Sequence, residues 1–170
     1  SFDGDISTWD TSRVTSMEFM FHGAKSFNGD ISNWDVSHVT HMGSMFSQAK
    51  SFNGNLSNWN VSNVTNMRSM FGGASSFNGN ISTWDTSSVT SMSDMFCRAT
   101  SFNGDNLLAN WNVSNVTNMG RMFMDAHSFE DGNISNWDVS CVTDMECMFC
   151  NAKAFCGDLS NWNVSSVRYM

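Results

Sequence analysis

The chain has 170 residues and a mass of 18.9 kDa, the size of one ordinary domain. Acidic residues outnumber basic ones 16 to 8, and the net charge of −8 argues against a nucleic-acid or anionic-membrane binder, which needs a basic face. No stretch approaches the roughly 18 consecutive apolar residues of a membrane span, and no signal peptide is readable.

The chain is one repeat written seven times. Copies cover 1–25, 26–50, 51–75, 76–100, 101–127 and 128–153, with a partial seventh at 154–170. The consensus is S-F-N-G-[DN]-[IL]-S-[NT]-W-[DN]-[VT]-S-x-V-T-x-M-x-x-M-F-x-x-A-x, and residues below are placed by their position in it. Extra residues fall in Asn106–Ala109 and Glu130–Gly132, where a coil has to bulge outward. Self-similarity at this period predicts a single solenoid domain. One coil buries too little apolar surface to offset the entropy of ordering its backbone, so coils have to stack. At about 4.8 Å per coil the stack is a rod about 30 Å long.

Within a repeat, the Asn-Gly pair at positions 3 and 4 suits a turn or bulge. A short strand is expected around Asp30–Trp34 and its equivalents, and a second around Val39–Met42. Positions 17, 20, 21 and 24 follow the i, i+3, i+4, i+7 spacing of one helical face, so a short helix is expected there. The polar residues at 22, 23 and 25 then end it. The expected fold is therefore an α/β repeat solenoid with short strands and one short helix per repeat. Its core is expected to hold Phe27, Trp34, Phe52, Trp59, Met67, Met70, Phe71, Phe77, Trp84, Met92, Met95, Phe96, Trp111 and Trp137. Ser at position 12, Thr at 15 and Asp or Asn at 10 read as polar ladders bonded to backbone or to the next coil.

The motif F-N-G-D-I-S-N-W-D-V-S, followed by V-T-x-M and M-F-x-x-A, closely resembles the BspA-like surface-protein repeat of mycoplasma-type lipoproteins, a divergent leucine-rich repeat. The resemblance covers all seven copies. It implies a right-handed, leucine-rich-repeat-like coil, a cell-surface or secreted location, and roles in adhesion or host and matrix binding. It supplies no catalytic residues. Against a complete member the chain reads as a segment of a longer array without leader, anchor or caps.

Recognition is expected at the variable outward positions, represented by Arg13, His38, His41, Asn63, Asn66, Arg68, Arg98, Asn115, Arg121 and Asp144. The partner would be a protein or a glycan, with end-to-end self-association through exposed apolar ends as a further possibility. A structural spacer or filament element is the competing function. No nucleophile-base, phosphate-loop or zinc-protease pattern occurs, so no enzyme activity is expected.

Cys141, Cys147, Cys150 and Cys156 cluster late in the chain, with Cys97 apart. A Cys150–Cys156 disulfide is one expectation, free thiols another, and a four-thiolate zinc site a third. His38 and His41 lie three apart and read as surface residues, with a metal pair as the alternative. No cofactor is expected, although the Asp-rich columns at positions 5 and 10 raise calcium. The single Thr column raises ice binding. Eight Asn-x-Ser/Thr sites, such as Asn63 and Asn115, coincide with the repeat itself.

Overall fold

The computed structural model describes residues 2–105, 107–130 and 133–170. Ser1 at the start of the first repeat, and Asn106, Asp131 and Gly132 in the two insertions, lie outside them. Each repeat forms one coil, and successive coils stack through backbone hydrogen bonds between equivalent positions.

Turns, rather than helices and strands, bend each coil. In coil three, turns close through Trp59 N on Leu56 O (3.1 Å), Val64 N on Val61 O (2.9 Å) and Met70 N on Met67 O (3.1 Å). Gly72 N on Ser69 O (3.0 Å), Ala74 N on Phe71 O (3.0 Å) and Phe77 N on Ala74 O (3.0 Å) continue the path. Between positions 17 and 24 the donors alternate in destination. Positions 20, 22 and 24 close the turns just described, and Arg68 N at position 18 donates to Asn66 Oδ1 at 2.9 Å. Odd positions reach the next coil: Met67 N to Ser91 O (3.1 Å), Ser69 N to Ser93 O (2.8 Å), Phe71 N to Met95 O (2.9 Å) and Gly73 N to Cys97 O (2.7 Å). Every amide of the segment is thereby paired without a helix.

This overturns the expected α/β architecture. Among the described residues the one helix is a single 3-10 turn at Ile134–Asn136, and strand pairing reduces to isolated parallel bridges. No strand forms at Asp30–Trp34, where Trp34 N closes a turn on Ile31 O. Of the Val39–Met42 expectation there remains one bridging residue, His41, in the line Ser16, His41, Asn66, Ser91, Asn118, Asp144 and Tyr169. The helix fails because the backbone turns left-handed at positions 19 and 23. Phe19, Ser44, Ser69, Asp94, Arg121 and Cys147 have φ of 53–59°, and position 23 follows the same rule from Gly23 (φ 68°) to Asn151 (φ 58°). Spacing gives a second reason. Helix axes pack about 8–10 Å apart, whereas coils joined by backbone hydrogen bonds stand about 5 Å apart. A helix in every coil could not keep this register.

The core is a set of aligned side-chain columns. Phe at position 2 repeats at ring separations of 5.7–6.2 Å from Phe2 to Phe155, and Phe at position 21 at 5.5–5.7 Å from Phe21 to Phe149. The two columns stack on one another, as in Phe71 with Phe77 at 3.8 Å. All fourteen side chains expected in the core are buried. Each tryptophan from Trp34 onward donates its indole N–H to the position-6 carbonyl one coil earlier, at 3.0–3.1 Å. Leu108 and Ile134 hold position 6 in the two lengthened coils, and both are buried. The insertions therefore leave the core register intact.

The polar columns divide their work. At positions 5 and 10 the Asp or Asn side chain accepts from the Ser amide two residues on, as Asp35 does from Ser37 at 2.9 Å. Thr at 15 donates its hydroxyl to the same column one coil earlier, as Thr65 to Thr40 O at 3.2 Å. Thr11 and Thr86 replace Val at buried position 11, and each donates to the next coil's backbone, Asp35 O and Asn112 O, at 2.9 Å. Among the described residues no helix is long and apolar enough to cross a membrane.

Candidate recognition face

The line of bridges at position 16 borders an outer face built from positions 16, 18 and 19. Its relief comes from side-chain size at position 18, which runs Glu18, Gly43, Arg68, Ser93, Gly120 and Glu146. The small residues leave two hollows that share Arg68. One holds about 360 Å³ between Glu18, Phe19, Gly43, Ser44, Asn66, Arg68 and Ser69. The other holds about 170 Å³ between Arg68, Ser93, Asp94, Asn118, Gly120, Arg121, Asp144 and Glu146.

A side chain at Gly120 would crowd its neighbours. A Cβ there would come within 3.2 Å of Asp144 Oδ1 and 3.3 Å of Asn118 Oδ1. Those groups form a small network: Asn118 Nδ2 donates to Asp144 Oδ2 at 3.1 Å, and Asn118 Oδ1 accepts from Gly120 N at 2.9 Å. Asp144 Oδ1 accepts from Glu146 N at 2.9 Å. Arg121 donates to Glu146 Oε1 at 3.3 Å, which raises the guanidinium above its ordinary value. Arg68 lies 4.0 Å from Asp94 Oδ2. Both pairs are surface pairs worth about 0–1 kcal/mol, so they orient side chains more than they stabilise the stack. The result is a polar hollow with cations on two sides and carboxylates on the others.

The expected recognition residues separate into three places. His41, Asn66, Arg68, Arg121 and Asp144 lie together on this face. Arg13, His38, Asn63 and Asn115 lie along position 13, away from it. There Asn63 and Asn115 spend their side-chain amides on Ser37 O (2.7 Å) and Ser87 O (2.8 Å) of the preceding coils. Arg98 is at position 23, paired with Asp125 at 3.4 Å. The Asp125 carboxyl is held below its ordinary range by Asn151 first and by Arg98 second. Sequence reasoning passed over Asp94, Glu146 and Gly120. The signal available was charge reversal between adjacent coils, Arg68 against Asp94 and Arg121 against Glu146.

The structure takes one of the readings open for the cysteines. Cys150 and Cys156 are not joined, and all five cysteines are free. The chain from Cys150 to Cys156 runs through turns closed by Ala152 N on Phe149 O and Phe155 N on Ala152 O. Among the described residues, no three His, Cys, Asp or Glu side chains group so as to hold a metal ion. His38 and His41 instead share hydrogen bonds with Ser37 Oγ (3.3 Å) and Thr40 Oγ1 (2.9 Å).

A family model described as "Mycoplasma protein of unknown function, DUF285" matches residues 1–108 and, again, residues 76–170. No curated protein and no solved structure matches the chain. The two family matches overlap and together run from the first residue to the last, so the chain belongs to this mycoplasma-type repeat family.

Proposed function

We propose that the chain is a non-catalytic recognition module, displayed at a cell surface or secreted, that binds a protein or glycan through positions 16, 18 and 19. One observation carries the reading. Here Glu18, Arg68, Arg121 and Glu146 are exposed, with Asn66, Asn118 and Asp144 half-buried beside them, around two open hollows. The Asp, Asn and Thr columns at positions 5, 10 and 15 are instead taken up by turns and inter-coil bonds, as at Asp35 and Thr65. Variation on a constant scaffold is how stacked repeats build binding surfaces. The family match and the resemblance to BspA-like surface proteins support the setting.

The test is binding of the chain to an array of glycans and matrix proteins, with calcium and with a chelator. A saturable hit that weakens at least tenfold in Arg68→Ala or Arg121→Ala supports the reading. Dependence on calcium would reassign recognition to the Asp columns. Absence of any hit would overturn it.

A second reading, a structural spacer or self-assembling element, has its own observation. Met145, Met148, Phe149, Leu159, Trp162, Val164 and Met170 line an open apolar cavity of about 500 Å³ at one end. Phe2, Trp9 and Met20 line another of about 420 Å³ at the other end. Sedimentation across a concentration series separates the readings, since a spacer of this kind lengthens with concentration and a recognition module does not.

A further inference from the structure

Cys147 and Cys150 stand at positions 19 and 22, the two ends of one turn closed by Cys150 N on Cys147 O at 3.1 Å. Coil three shows what this turn does to side chains at its ends. There Ser69 and Gly72 hold the same positions, and Gly72 N meets Ser69 O at 3.0 Å. A Cβ placed on Gly72 comes 3.6 Å from Ser69 Cβ. The backbones match closely, with φ of 53° at both Ser69 and Cys147. Disulfides join Cβ atoms about 3.5–4.5 Å apart, so this turn presents its two ends at bonding distance without backbone movement. Both cysteines are exposed.

We propose that Cys147 and Cys150 are a redox modification site, closing to an intra-turn disulfide by exchange with a small disulfide such as oxidised glutathione. The neighbouring Cys150 thiol raises that of Cys147 above its ordinary range. The exchange begins at Cys150. Its thiolate attacks one sulfur of the glutathione disulfide, forming a mixed disulfide and releasing one glutathione thiolate. Cys147 then loses its proton, and its sulfur attacks Cys150 Sγ. That step forms the Cys147–Cys150 bond and expels the second glutathione. Two protein thiols are oxidised and one glutathione disulfide is reduced to two thiols, so atoms and electrons balance. Cys97 provides an internal contrast. It holds position 22 of coil four, but Asp94 faces it at position 19 and burial pushes its thiol up.

The experiment incubates the full chain with oxidised glutathione, quenches by alkylation and digests with trypsin and a glutamyl endopeptidase. Cleavage after Glu146 and Lys153 isolates Cys147 and Cys150 on one peptide, away from Cys141 and Cys156. The expected product is that peptide lighter by two hydrogens and unalkylated. A Cys150–Cys156 link, or a peptide whose cysteines end alkylated or glutathionylated, would overturn the proposal. Kinetics give a second measure. In the parent chain the Cys150–glutathione adduct is transient, and in Cys147→Ser it accumulates at least tenfold. Equal accumulation in both chains would also overturn it.

Discussion

Truncation of Trp84 tests the column architecture most directly. Trp84 is 2% exposed, its indole donates to Leu56 O at 3.0 Å, and its ring lies 6.2 Å from both Trp111 and Phe71. Trp84→Ala loses the transfer free energy of the ring and leaves a void, a loss of about 3–5 kcal/mol. The Leu56 carbonyl keeps Trp59 N at 3.1 Å but loses its second donor, adding about 1 kcal/mol. Trp84→Phe keeps most of the volume and isolates the second effect, about 1 kcal/mol. Trp9 holds the same position in coil one but is 52% exposed, so Trp9→Ala should lose under about 2 kcal/mol. Urea unfolding followed by circular dichroism reads all three. Coils couple only to their neighbours, so Trp84→Ala should also lower the denaturant slope as the two halves uncouple. Equal losses for Trp84→Ala and Trp9→Ala, or a Trp84→Phe indistinguishable from the parent, would refute the reasoning.

Further expectations concern the turns and the surface. Ser69→Gly should raise the melting temperature, corresponding to a gain of up to about 1 kcal/mol, because Ser69 is left-handed at φ 53°. In a helix the same change would destabilise, so the sign of the shift in thermal unfolding distinguishes the two backbones. Asp10, Asp35, Asp85 and Asp138 are held below their ordinary value of 3.8, mainly by hydrogen bonds from the Ser two residues on. A carboxyl lowered on folding contributes stability above its unfolded value and loses it as pH falls through the folded one. Melting temperature should therefore drop below about pH 4, and should drop less when all four are replaced by Asn, which already makes this bond at Asn60. Arg121→Ala should leave the melting temperature nearly unchanged while weakening any ligand of the polar hollow, a split read by pairing thermal unfolding with binding.

The repeat, its burial pattern and its coil boundaries were legible because apolar columns report which side chains face inward. The backbone path between them was not. Spacing of 17, 20, 21 and 24 is produced equally by a helical face and by linked turns with left-handed residues between them. A glycine signal would have separated the two, but at position 19 those residues are Phe, Ser, Ser, Asp, Arg and Cys. Side chains of any size stand there because the inter-coil bonds of Ser69 N and its equivalents fix the backbone. The proposed face was half legible for a related reason. Variability marks an outward residue but does not separate Asn66, beside a hollow, from Asn63, whose amide is spent on Ser37 O.

The bonds between coils run from one coil to the next, so a pull on the two ends loads them one layer at a time instead of sharing the force among all layers. Under tension the array should peel from an end, coil by coil. Each event releases 25 residues, about 85 Å of chain. The next layer still presents the same Phe, Trp and amide columns and can receive the released coil again. Such a chain is a tether that pays out in equal increments at a nearly constant force, lengthening under load while the layers not yet reached keep their surface intact.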